Sequence, residues 1–436
     1  MSALHSRKRL LFIAPVMPAA QGNGLAMRVG VFLDAYSRHF DIDLVIIPVA
    51  GQAAATTPFA LRRCVRHVVI APRSDSHFDL VSRLRDPVAR LEAFRRYGQP
   101  SLAAGITDAV VEELRTWIGH TRYAVVHLSR LYLSALARAA GSHGGETRFI
   151  LDCDENDIAT QQSIGAMLRR RGELWQSDWR HCEAEAFARL ARQSLARFDV
   201  VFASSRKDCA SLTRQTGHDR VLLVPNVVAI PPRRLPDLRR PRARTVLFVG
   251  TLAYDPNADA VEWFVARVWP GLVRRHPGSL RLVIAGAGSS PRIARLAGRQ
   301  GIAVAANVPD MAPLYARADL AIAPLRAGGG SRIKLIEAAA HGVPAVATRV
   351  GAEGLRFASG RDILLADAAD TFIAACRTML TDEPLARRIA VNARNRVLTD
   401  HDRARWTVAI GDFAARLGLS RGPSPSDLLS AELAER

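Results

Sequence analysis

From residue 9 to residue 224 short apolar runs alternate with longer amphipathic ones. That rhythm predicts strands joined by crossover helices in a parallel sheet. The strand candidates are LLFIAP, IDLVIIPV, VRHVVIAP, YAVVHL, TRFILD, DVVFAS and RVLLVP, and the rhythm resumes with TVLFVG, RLVIAGAG, IAVAANV and ADLAIAPL. Between the two series the Pro- and Arg-rich stretch 226–244 has no period and predicts a linker. The expected organisation is an N-terminal α/β domain over 1–225, a second over 245–400, a helix over 401–420 and a mobile tail over 421–436. Residues 160–198 read as one long helical stretch rich in arginine.

The densest chemistry lies in residues 324–348, PLRAGGGSRIKLIEAAAHGVPAVAT, which predict a strand end, a glycine loop, a short helix and a buried strand. Gly328, Gly329 and Gly330 allow close backbone approach to a ligand, and Ser331 is the expected N-cap of a helix whose first amides stay free for an anion. On the helical wheel only Ser331, Lys334 and Glu337 form a polar strip. A cation and a carboxylate on an otherwise apolar helix need partners. They are either each other, as an i,i+3 ion pair, or a nucleotide sugar, with Arg332 and Lys334 on the diphosphate and Glu337 on ribose hydroxyls.

The 60 Lys+Arg against 41 Asp+Glu leave a formal net charge of +19, almost all of it arginine. No aromatic-interleaved basic stretch or zinc-finger spacing accompanies it, so nucleic acid is not the expected partner. An anionic membrane surface or a pyrophosphate substrate suits the charge. The five dispersed cysteines fit a reducing, cytoplasmic setting. The basic N-terminus, interrupted by Pro15 and Pro18, reads as a first strand rather than a signal peptide, and no run of eighteen apolar residues occurs.

The glycine loop, the K-L-I-E-A-A-A helix, the G-V-P-A-V-A-T strand and G-A-E-G-L at 351–355 together resemble the donor-binding signature of family 4 (group 1) glycosyltransferases. The resemblance implies the α/β GT-B fold, in which two Rossmann-like domains face each other across a cleft and a C-terminal helix crosses back. It also implies retaining, metal-independent transfer of a hexosyl group from a nucleotide diphosphate sugar to a glycan or lipid-linked acceptor in bacterial surface polysaccharide synthesis, with no cofactor. The family often carries a glutamate eight positions before Glu337, where this chain has Gly329, as in a glycine-rich G-x-x-K-x-x-E subgroup. The family's Arg and Lys after the first strand of the second domain are missing around Gly250, which shifts the diphosphate onto Arg332 and Lys334.

Further candidates lie at strand ends, where open α/β sheets bind ligands. Gly22 and Gly24 follow the first strand, as an ordinary turn or as a loop facing the donor phosphates. His127 ends YAVVHL, as a hydrogen-bonded strand terminus or as a side chain lining the acceptor. The loop with Asp152, Asp154, Glu155 and Asp157 faces an acceptor, holds a divalent cation or caps a helix. Arg169, Arg170, Arg171, Arg180, Arg189 and Arg192, with Trp175 and Trp179, are expected to touch anionic headgroups. The rival readings are a sugar-nucleotide epimerase or hydrolase of the same fold and a non-catalytic nucleotide-sugar-binding protein.

Overall fold

A computed structural model of the chain describes residues 7–49, 56–141, 147–232, 243–274, 279–288, 291–330 and 332–419. The chain divides into two compact units, one running to Val224 and taking up the chain again from Ala404, the other spanning Pro225–Arg403. Most of the expected linker and the whole expected tail fall outside the described residues.

Among the described residues the first unit is built on seven strands: β1 Arg9–Ala14, β2 Asp41–Ile46, β3 Arg66–Val69, β4 Val125–Ser129, β5 Arg148–Asp154, β6 Val200–Ala203 and β7 Val221–Leu223. They pair in the order β3-β2-β1-β4-β5-β6-β7, every pair parallel. Each coincides with one of the apolar runs; the inner strands, covered on both faces, are apolar throughout, while the edge strand β3 alternates half-buried and exposed residues. The order reverses between β1 and β4, so ligands are expected outside the carboxyl ends of those two strands.

The helix Gly24–Tyr36 follows β1, and Asn23 caps it by accepting the Ala26 amide at 2.8 Å. A Cβ at Gly30 would lie 2.1 Å from the Ala19 carbonyl oxygen, so this residue must be glycine for the helix to lie against the incoming loop. The helix Arg403–Leu419 returns to the same unit: Phe413 meets Phe202 edge-on with ring centroids 5.7 Å apart, and Gly411 packs against the Ala35 carbonyl. The long helical stretch breaks into the helices Asp157–Arg170 and Leu174–Ser194, which pack on each other around Gly172 at φ +79°. Only a glycine turns there without strain.

Among the described residues the second unit holds six parallel strands: β8 Arg244–Val249, β9 Leu280–Gly286, β10 Ile302–Ala306, β11 Leu320–Ala323, β12 Ala345–Ala347 and β13 Leu364–Leu365, in the order β10-β9-β8-β11-β12-β13. Here the order reverses between β8 and β11. The loops that follow them are the one at Gly250 and the glycine loop 326–330, so the sequence motif stands where this topology predicts a ligand.

Candidate functional site

The helix after the glycine loop spans Ile333–Ala340, with its N-cap at Arg332 and no side-chain cap. Ser331 lies outside the described residues. The N-cap is Arg332, whose side chain is buried and donates from Nε to Val350 O at 3.3 Å, from Nη2 to Gly328 O at 3.1 Å and from Nη1 to Gly329 O. Expected on a diphosphate, this guanidinium instead clamps its own loop. With the Gly328 and Gly329 carbonyls drawn to Arg332, planar trans peptides turn the amides of Gly329 and Gly330 the opposite way. Among the described residues neither amide has an acceptor. Positive φ at Gly328 (+108°) and Gly330 (+70°) makes this arrangement possible, and successive free amides form a concavity suited to an anion.

Lys334 reaches from this helix to the loop after β8. Its Nζ donates to Asn257 Oδ1 at 2.7 Å, stands 4.4 Å from the centroid of the Phe248 ring and lies 3.0 Å from where a Cβ on Gly250 would sit. Gly250 is thus glycine because a side chain would displace Lys334 and Asn257. The lysine puts an ammonium on the loop that lacks basic residues of its own. Burial, with help from Arg332, pushes its pKa down to about 7.

Glu337 is not paired with Lys334. It accepts a 2.9 Å hydrogen bond from the Tyr315 hydroxyl, and burial drives its pKa up to about 7 against the opposing pull of Tyr315 and Lys334. The i,i+3 ion pair gives way to two separate polar contacts, each made with a residue distant in sequence. Both groups titrate near neutrality in a desolvated site, the signature of residues held for a charged ligand. A further latch joins the loop to the helix Asp255–Arg267, where Arg326 donates from Nε to Asp259 Oδ2 at 2.9 Å.

In the first unit Gly22 has φ +117° with open space where a Cβ would point, and Gly24 opens the helix after β1. His127 is a correction. Its side chain is wholly buried among Phe12, Phe32 and Phe202, Nδ1 lies 2.6 Å from the Tyr36 hydroxyl, and burial depresses its pKa well below the usual histidine range. It is a neutral core residue and lines no surface of this unit.

The acidic loop is held by two arginines that the sequence did not single out. Buried Arg28 grips Asp152 with two bonds of 2.8 and 2.6 Å and donates to Val224 O at 2.9 Å. Arg130, at φ +80° just after β4, donates to Asp157 at 2.7 Å and Glu155 at 3.2 Å. The carboxylates read as a cation site are therefore already neutralised by guanidinium groups. Positive φ at Arg130, just after β4, and at Asp154 (+61°), the last residue of β5, sets unusual backbone at the ends of these two neighbouring strands, as functional sites often do.

Residues 243–382 match the model of the family described as glycosyl transferases, group 1. This stretch is a group 1 glycosyltransferase domain. A 203-residue segment of the chain is 32% identical to the glycogen synthase of Mycobacterium tuberculosis, a match covering 42% of this chain and 45% of that enzyme, so the chain spans under half the length of this relative. Among solved structures, sucrose-phosphate synthase from Thermosynechococcus elongatus superposes with a TM-score of 0.64 at 17% identity, over 93% of this chain and 98% of that one. Anabaena HepE in complex with UDP-glucose gives 0.58 at 14%, over 92% and 98%. These likenesses establish the GT-B fold along nearly the whole chain, and the transferase domain carries the glycine loop, Lys334 and Glu337.

Proposed function

We propose that the chain is a retaining, metal-independent glycosyltransferase that moves a hexosyl group from a nucleotide diphosphate sugar to a glycan or lipid-linked acceptor. It acts without a cofactor in bacterial surface polysaccharide synthesis, with peripheral contact to the inner face of the cell membrane. The observation that carries this reading is the Lys334 ammonium fixed by Asn257 beside Gly250, on the helix that follows the amide-bearing glycine loop at the β8/β11 reversal. UDP-glucose bound to HepE supports a nucleoside diphosphate donor.

Lys334 and the amides of Gly329 and Gly330 meet the departing diphosphate, whose charge grows as the glycosidic bond breaks. Fixed donors aimed at developing charge lower the barrier more than they strengthen ground-state binding. In a retaining transfer the acceptor hydroxyl attacks from the leaving-group side and its proton passes to the departing phosphate. The test is incubation with a panel of UDP- and GDP-hexoses and extracted membrane lipid in EDTA, with the product anomer read by NMR. Nucleotide release without any acceptor would instead identify a hydrolase, and dependence on Mn²⁺ would return attention to Asp154.

Glu337→Gln should weaken nucleotide binding by about 1–3 kcal/mol, because a charged acceptor for ribose hydroxyls becomes neutral in a desolvated site. Calorimetry on the folded variant checks this, and unchanged affinity would remove Glu337 from the ribose. Nucleotide affinity should also be bell-shaped in pH with its maximum near 7. The binding form has Lys334 protonated and Glu337 ionised; acid below about 7 neutralises the glutamate, and base above about 7 neutralises the lysine. Titrations from acid to alkaline buffer that give a flat profile would show that these two groups do not meet the ligand.

A further inference from the structure

The first unit carries a projecting elbow between the helices Ser76–Arg83 and Pro87–Tyr97, where residues 82–89 are all exposed. On it stand apolar side chains that a folded surface ordinarily hides: Leu80 is 63% exposed, Leu84 38% and Val88 73%. Leu174, 55% exposed, opens the neighbouring helix Leu174–Ser194, and the adjacent Trp175 donates its indole N–H to the Pro87 carbonyl at 3.1 Å. That bond fastens the start of this helix to the elbow at Pro87. Leu80 lies in the helix that leads into the elbow and Leu84 is its extended C-cap, so the exposed apolar side chains stand on neighbouring segments. Exposed apolar side chains gathered in one place mark an interaction surface.

The charge around the strip selects its partner. Arg83 and Arg85 flank Leu84, and Arg169 to Arg171 close the helix that precedes Leu174. The nearby acids are engaged, and two of them by the border's own arginines: Asp86 accepts the Ala89 amide, Glu92 pairs with Arg96, Glu173 with Arg171 and Asp178 with Arg169, so Arg83 and Arg85 carry the charge beside the strip. The elbow is also firmly mounted. Phe94 stacks on Trp179 at 4.2 Å, and Arg90 lies over the rings of Trp175 and Trp179 at 5.6 and 5.4 Å. This corrects the expectation that both tryptophans reach headgroups: Trp179 is used inside the stack and Trp175 anchors Pro87.

We infer that the Leu80–Leu84–Val88–Leu174 strip with its arginine border is the surface by which this protein docks on anionic lipid. Apolar side chains enter the headgroup boundary while arginines, whose stems lie along apolar surface, meet lipid phosphates. The inference rests on the peripheral-membrane reading above and is independent of the transferase chemistry.

The test is co-sedimentation of the full chain with phosphatidylglycerol/phosphatidylcholine vesicles and with pure phosphatidylcholine, at low and high salt. The chain should bind the anionic vesicles and leave them in high salt. Leu84→Asp/Val88→Asp should cut vesicle partitioning by about tenfold or more, whereas Leu398→Asp, a leucine as exposed as Leu84 but on the other unit, should not. Arg83→Gln/Arg85→Gln keeps the apolar strip and should lower binding and its salt sensitivity together. Failure of the parent chain to bind would end the membrane reading as a whole; binding unaffected by either double variant would spare that reading and overturn the elbow. Dimers that dissociate on Leu84→Asp/Val88→Asp in light scattering would make the occupant a second copy of the chain and overturn the lipid assignment.

Discussion

Lys334→Ala should lower kcat by roughly 10²–10³-fold while weakening nucleotide binding by no more than about tenfold, the asymmetry expected when a fixed donor meets charge that grows in the transition state. The geometry gives the reason. Of the 60 Lys+Arg in this chain only Lys8, Lys207 and Lys334 are lysine. The third stands where an arginine would not fit: between the Phe248 ring, Asn257 and the backbone of Gly250, a Cβ's contact distance away. A compact ammonium fills that space, and a planar guanidinium would displace Asn257. Lys334→Arg should therefore rescue little. Steady-state kinetics alongside calorimetric nucleotide affinity decides the matter, since equal losses in both would reduce Lys334 to a ground-state anchor.

Much of this site could be read from the sequence because its parts are local. Gly328 to Gly330, Lys334 and Glu337 lie within one loop and one helix, and the strand series placed that helix at a carboxyl edge. The partners could not be read. Asn257 is 77 residues from Lys334, and Tyr315 is 22 from Glu337. The meeting of the β8 and β11 loops joins the first pair, and the helix Ala312–Arg317 ahead of β11 brings Tyr315 to Glu337. Arg332 was assigned to the ligand because sequence gives its charge and not its direction, and its guanidinium turns back onto its own loop.

His127 failed for a different reason. All five residues of β4 are buried, so the strand has no alternation to show which way its last side chains point. Arg28 and Arg130 were lost among the many arginines of a strongly basic chain, although each closes onto an acidic loop that was noticed: Arg28 from 124 residues away and Arg130 from 27. In such a composition an arginine carries little signal by itself. The signal lay in Asp152 and Asp157, buried carboxylates that require a counter-charge.

That requirement sets the largest stability effect expected in the first unit. Arg28→Met should destabilise it by about 3–5 kcal/mol, since removing one partner strands the other in the interior. Asp152 is fully buried, and Arg28 supplies two of its hydrogen bonds. Because the chain has two units, a single melting curve would mix their transitions, so the effect is better read by hydrogen exchange resolved along the sequence. The slowest amides of β1, β4 and β5 should exchange on the order of 10²–10⁴ times faster in Arg28→Met, while those of β8 to β11 keep their rates. Arg28→Met/Asp152→Leu, which removes both charges at once, should recover most of the protection, because a buried ion pair contributes little net stability over apolar packing of similar volume. An acceleration under tenfold in the single variant would mean that water reaches Asp152. Equal losses in single and double variants would mean that Arg28 matters for its packing and for its bond to Val224 O, and not as the counter-charge of the acidic loop.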